Sequence, residues 1–142
     1  MDKSVQIDTF CSNSRVSRET LNSLKKYENL LIEENNKLNL IGKSTINSIW
    51  IRHFLDSFQV IDFIDKNDKV LVDLGSGAGF PGLVLAIASK DRDIPLKVKL
   101  IEKSPKKTKF LKKIIKELHL NAEVLTVNIL EEEIIFNENV FV

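Results

Sequence analysis

The sequence predicts an α/β fold: a parallel sheet with helices on its faces, preceded by a helical segment. Three observations predict it. The run Val70-Leu71-Val72-Asp73 is apolar, rich in β-branched residues and closed by an acid, as a buried parallel strand should be. It passes through Leu74 into the glycine-rich turn Gly75-Ser76-Gly77-Ala78-Gly79-Phe80-Pro81-Gly82, and a helical apolar segment, 83–88, follows at once. Strand-like and helix-like stretches then alternate, the pattern of a Rossmann-like sheet with right-handed crossovers.

The elements follow in order. Residues 1–16 show no apolar period and read as a loose N-terminal arm. Leu21, Leu24, Tyr27, Leu30, Leu31 and Leu38 fall near helical spacing, so 17–37 reads as an amphipathic helix. A polar, turn-like stretch covers 35–42. A second helix is predicted over 46–64, burying Ile46, Trp50, Phe54, Phe58 and Ile61 and turning Arg52, His53, Asp56 and Gln59 outward. Strand 69–73 leads to helix 81–89, with Pro81 suited to a first helical turn. Strand 98–102 leads to a helix that begins near Ser104-Pro105 and buries Phe110, Leu111, Ile114, Ile115 and Leu118. Strand 123–127, a short acidic stretch and the apolar Val140-Phe141-Val142 complete the chain, which reads as stopping inside a fourth strand. The organisation is one structural domain, with arm and helices at 1–66 and a cofactor-binding part at 67–142.

Composition narrows the classes. A 142-residue chain with 43% hydrophobic and 29% charged residues is long enough to bury a core. The single Cys11 excludes an internal disulfide and fits a reducing compartment. No secretory apolar region opens the chain, and no apolar run approaches membrane-spanning length. The expectation is a cytoplasmic, monomeric protein without a membrane partner. Two histidines and one cysteine make no metal-ligand pattern.

The glycine turn carries the chemistry. Glycines at alternate positions admit a ligand to the main chain, and the helix start behind them points N–H groups toward it. Two registers overlap. Gly75, Gly77 and Gly79, preceded by Asp73, suit S-adenosylmethionine; Gly77, Gly79 and Gly82, with Glu102 twenty residues further on, match the dinucleotide fingerprint. The turn starts at Gly75, so the dinucleotide register begins two residues late. A carboxylate at Asp73 would also repel a pyrophosphate, whereas it favours a sulfonium and an amino group. S-adenosylmethionine is therefore the cofactor expected. Glu102 can accept two hydrogen bonds from ribose hydroxyls; the plain alternative is a solvated strand-end charge beside Lys103. The plain alternative for Asp73 is a carboxylate capping the turn through backbone N–H groups.

Four spaced motifs carry a family resemblance from about Tyr27 onward. They are Asn35 with Asn39-Leu40; Arg52-His53-Phe54-Leu55-Asp56-Ser57; the stretch from Asp73 to Gly82; and Glu102-Lys103 leading to Lys107 and Phe110-Leu111. In these the chain resembles the bacterial ribosomal RNA small subunit methyltransferase G family, GidB, as a C-terminally truncated member. The resemblance implies a class I S-adenosylmethionine-dependent methyltransferase fold, incomplete at the C-terminus. It also implies methyl transfer to N7 of a guanine in small-subunit (16S) ribosomal RNA. The implied partner is that RNA or an immature small subunit. By position, Gly75 and Phe80 match the family's cofactor contacts, and Ile129 and Leu130 match the pair lining the adenine side. At that pair the family usually has a small residue and an acid, so main-chain contacts carry over more readily than side-chain ones. Asn128 stands where arginine is typical, and Glu34 where tryptophan is. Family members continue past Val142 into a Ser-Arg-Ala segment whose arginine contacts the cofactor.

Guanine N7 has a lone pair and no proton, so the reaction needs no general base, and no catalytic residue is assigned. Arg52 and Asp56 read either as an ordinary i, i+4 ion pair or, with His53, as support for the cofactor cleft. Nine lysines lie between Lys97 and Lys116 against the single acid Glu102. They read as the solvated face of an amphipathic helix or as contacts to RNA phosphates. Three functional readings stay open: a methyltransferase, active or impaired by its early end; a non-catalytic remnant binding S-adenosylmethionine or RNA; and an NAD-binding oxidoreductase domain.

Overall fold

A computed structural model describes residues 2–127 and 140–141. Its centre is a four-stranded parallel sheet in the order β3-β2-β1-β4. The strands are β1 (Val70–Leu74), β2 (Lys97–Glu102), β3 (Ala122–Thr126) and β4 (Val140–Phe141). Val72 lies opposite Lys99 in the β1–β2 register, and Lys99 lies opposite Glu123 in the next. From β1 the chain steps outward to β2 and β3, then crosses to the other side of β1, where β4 pairs with Val70 and Leu71. Strand order therefore reverses at β1. In open α/β sheets the crevice beyond the strand ends at such a reversal is where ligands bind, and the glycine turn leaves β1 there.

The helices behind the turn follow their local sequence. Ser104 caps α6 (Pro105–Leu118) through its hydroxyl, which accepts from Lys107 N–H at 3.3 Å, and Pro105 takes the first helical position. Phe110, Leu111, Ile114 and Leu118 form its buried stripe, and His119 ends it in the left-handed conformation. Helix α5 (Gly82–Asp91) is buried from Gly82 to Ser89, so its sequence is apolar on every side. Helix α2 (Arg18–Asn35) begins at Ser17, whose hydroxyl accepts from Thr20 N–H at 3.1 Å. It ends where Asn35 Oδ1 accepts from Leu40 N–H at 2.7 Å and Ile41 N–H at 3.0 Å. That turn gives Asn35 and Leu40 of the motif a structural reason.

Two sequence expectations are corrected. The N-terminal arm is a helix, α1 (Lys3–Ser14), capped by Asp2 accepting from Ser4 N–H at 2.8 Å. Phe10 anchors it, fully buried edge-on to Trp50 and Phe58 at 5.5 and 5.6 Å between ring centres. Lys3 adds an ion pair at 3.4 Å to the buried Glu28, which also accepts the Trp50 indole N–H at 3.0 Å. The expected continuous helix 46–64 is broken. It runs as α3 (Lys43–Ile46), a π-helical turn (Trp50–Leu55), α4 (Asp56–Phe58) and a 3₁₀ turn (Gln59–Phe63). Trp50, Phe54, Phe58 and Ile61 are buried as expected, but Ile49 takes the place foreseen for Ile46. The wider π turn also removes the i, i+4 alignment, and Arg52 forms no ion pair with Asp56 among the described residues.

Candidate cofactor site

The site is built where β1 ends. Gly75 and Gly77 sit at φ +72° and +55°, a region that favours glycine. A Cβ on either would meet nothing within 4 Å, so both main-chain faces border open space rather than protein. Gly79, at φ +101°, and Gly82 are different. A Cβ on Gly79 would strike the Tyr27 hydroxyl and Leu83, and one on Gly82 would strike Leu100 and lie 2.6 Å from Asp73 Oδ2. The first two glycines thus leave a cradle open, while the last two let the turn pack on its supports.

Most N–H groups of the turn are already engaged. Gly75 and Ser76 donate to the Ile101 carbonyl at 2.8 and 3.2 Å, Gly79 donates to Ser76 at 2.8 Å, and Leu83 donates to Gly79 at 2.8 Å. Asp73, 8% exposed, accepts from Gly82 N–H at 3.0 Å. The Gly82 N–H at the helix start is therefore taken by a carboxylate from the preceding strand, the capping role that the sequence leaves open to Asp73, rather than presented to a ligand. Burial raises the Asp73 carboxyl above its usual range and the charge of Glu102 adds to this, against hydrogen bonds from Gly82 and Ser76.

Glu102 is 6% exposed, so it is no solvated strand-end charge. Its Oε1 accepts from Gly77 N–H at 3.0 Å and its Oε2 from Ser104 N–H at 2.8 Å. One carboxylate thereby ties the glycine turn to the start of α6. Asp73 and Glu102 bracket the turn with two acids. A cavity of about 320 Å³ opens beside β1, lined by Val60, Leu71, Val72, Leu74, Pro81 and Leu85 together with Asp73.

A column of rings supports the turn, and spacing alone did not reveal it. Tyr27, fully buried in α2, donates its hydroxyl to the Ala78 carbonyl at 2.6 Å. Phe80 stacks on Tyr27 at 5.8 Å and 12°, and His53 stacks on Phe80 at 4.6 Å and 7°. Burial and the neighbouring Asp73 push the Tyr27 phenol well above its ordinary value, so it stays a donor. His53 comes from the π-helical turn, and its Nε2 is buried with no hydrogen-bond partner among the described residues. Burial first, then Arg52, lowers its pKa against the opposing pull of Asp56, which keeps the ring neutral. The sequence marks Phe80 and His53 singly, through the family motifs, and Tyr27 only as an aromatic within a leucine stripe; nothing in their spacing joins the three. Ile129 and Leu130 lie outside the described residues, and the described residues contain no group of metal ligands.

A parallel sheet with its glycine turn at the strand-order reversal, flanked by acids, defines a Rossmann-like α/β protein with a ligand-type crevice at that turn. Comparison with known proteins narrows this: the family model for rRNA small subunit methyltransferase G, GidB, matches residues 20–139. The chain belongs to that family. A Ribosomal RNA small subunit methyltransferase G of Pelagibacter ubique is 43% identical over 123 residues, covering 85% of this chain and 58% of the relative. One of Rhodospirillum centenum is 50% identical over 99 residues, covering 70% of this chain and 44% of the relative. The chain spans about half the length of the curated relatives it matches. Among solved structures, coclaurine N-methyltransferase bound to N-methylheliamine and SAH aligns at TM-score 0.48 and 15% identity, over 91% of this chain and 45% of that one.

Proposed function

We propose that this chain binds S-adenosylmethionine and acts as a methyltransferase on N7 of a guanine in small-subunit (16S) ribosomal RNA. One observation carries the cofactor reading: Asp73 occupies the N–H of Gly82 at the start of α5. In a dinucleotide site that helix start binds the pyrophosphate. Here a buried carboxylate fills it, and Glu102 brings a second negative group to the same turn. Two acids disfavour a pyrophosphate and favour the sulfonium and ammonium of a methyl donor. This argues against the NAD-binding alternative.

The residues present fit that donor. Gly75 and Gly77 offer main chain beside open space. Glu102 keeps unused lone pairs for ribose hydroxyls beyond its two backbone bonds. Phe80, held between Tyr27 and His53, flanks the turn, and Ile129 and Leu130 are assigned to the adenine side by family position. When bound, S-adenosylmethionine supplies an electrophilic methyl group on a sulfonium. Guanine N7 brings its own lone pair and loses no proton, so the protein contributes alignment rather than acid–base chemistry. The target guanine must be accessible, which an RNA loop or an immature subunit provides better than a regular helix. The protein works as a cytoplasmic monomer in this reading.

The test is methylation of small ribosomal subunits from a strain lacking the modification, with labelled S-adenosylmethionine. Label at guanine N7 is the expected result. Retained binding of S-adenosylhomocysteine without transfer would overturn the enzymatic reading in favour of a binding remnant.

A further inference from the structure

A groove of about 680 Å³ lies between the C-terminal end of α2 and the outer face of α6. Lys37, Lys109, Lys112, Lys113 and Lys116 line it, with Glu34 and Glu117, over the buried Phe110. Lys109, Lys112, Lys113 and Lys116 stand at i, i+3, i+4 and i+7, so they share one helix face, and all four are exposed. Of the two acids, Glu117 is already engaged by Lys26 at 3.0 Å.

Among the described residues little acid answers this charge: Glu117 alone feels Lys113 and Lys116, and its direct partner is Lys26. Lys97 and Lys99 pair with Glu123, but none of the lysines from Lys103 to Lys116 forms an ion pair among the described residues. Neighbouring like charges at these spacings repel and work against the helix. Lys106 and Lys107 sit in its first turn, which contains no acid and where the helix dipole disfavours cations. Only Lys116, in the last turn, gains from the dipole. The lysines of α6 begin at Lys106, two residues past Ser104, whose N–H binds Glu102, and run to Lys116, about 15 Å at 1.5 Å per residue. They therefore lead from the cofactor crevice into the groove.

We infer that this groove holds the phosphate backbone of the RNA substrate, guiding it toward the crevice. The inference rests on the proposed function and adds the surface on which the RNA lies. Phe110, the aromatic residue among the described lining of the groove, is 3% exposed and not open to base stacking, so the contact is to phosphates and indifferent to sequence.

The test compares two triple variants of the full chain: Lys109→Gln/Lys113→Gln/Lys116→Gln in the groove, and Lys43→Gln/Lys66→Gln/Lys69→Gln at exposed sites elsewhere. Affinity for a hairpin RNA oligonucleotide is measured from 50 to 200 mM KCl, and S-adenosylhomocysteine affinity is measured alongside. The groove variant should bind the RNA at least tenfold more weakly, with a salt slope shallower by about 2 for three lost phosphate contacts. A Lys→Arg triple at the groove positions should keep the wild-type slope. S-adenosylhomocysteine binding should stay unchanged in all three. Equal losses in the groove and control variants would reduce the effect to net charge and overturn the inference. So would a wild-type chain that binds S-adenosylhomocysteine but not the RNA at 50 mM KCl. Failure of the wild type to bind S-adenosylhomocysteine would count against the cofactor reading instead.

Discussion

Replacing Gly77 with alanine separates a cofactor cradle from an ordinary tight turn. The added Cβ meets nothing within 4 Å, so no core packing is disturbed. The remaining structural cost is holding alanine at φ +55°, about 1–2 kcal/mol for a left-handed residue. For a domain of this size that is a fall in Tm of roughly 3–8 °C, interpolating between smaller and larger domains. If the methyl donor lies on the turn, the same Cβ projects into its space and the ligand must shift or the turn must move. A clash of that kind costs about 2 kcal/mol, or roughly thirtyfold in Kd. Calorimetric titration with S-adenosylhomocysteine should show that loss in a variant that still unfolds cooperatively. Gly82→Ala is the contrast, because its Cβ runs into Leu100 and Asp73 and should destabilise the fold itself. Wild-type affinity in Gly77→Ala, with the modest Tm fall, would refute the placement of the ligand on this turn.

Other outcomes follow from the packing and titration. Phe10→Ala should cost about 3–5 kcal/mol in urea unfolding, the loss expected of a buried aromatic ring, whereas a loose arm would register almost nothing. His53 should titrate below 6.5 by NMR. Its neutral form is the one the fold accepts, so its contribution to stability is complete above pH 6.5 and declines as pH falls through the lower folded value. Wild type should therefore lose more stability than His53→Gln between pH 7.5 and 5. Asp91 is pushed up by partial burial, but hydrogen bonds from Thr20 and Ser17, aided by Arg92, hold its carboxyl below the ordinary value. That stability is present above pH 3.8 and lost as pH falls through the folded value, so the gap between wild type and Asp91→Ala should close in acid unfolding curves.

The parts of the fold with a strong local period were legible in the sequence. Strands β1 to β3 and the stripe of α6 were placed to within about a residue or two, because the buried apolar runs of β1 and β2, the regular strand–helix alternation and the helical repeat leave direct marks. Helix α1 was not, since its buried face mixes Phe10 with the polar Gln6 and Ser14, and Gln6 and the relay through Glu28 dock it by polar contacts that leave no apolar period. The π turn at Trp50–Leu55 also escaped a reading based on 3.6 residues per turn. At the site, the acids and glycines were identified from their order, and a cap on the turn was among the readings of Asp73, but the particular partners were not. Asp73 reaches Gly82, Glu102 reaches Gly77 and Tyr27 reaches Ala78 across 9, 25 and 51 residues. Such pairings come from the tertiary fold, which local spacing does not encode.

A crystal structure of the chain with S-adenosylhomocysteine tests the account most directly. The adenosyl half should lie against the main chain of Gly75 and Gly77, with its ribose hydroxyls at Glu102 and Phe80 at its flank. An unfilled crevice at that turn, with the ligand elsewhere or absent, would contradict it.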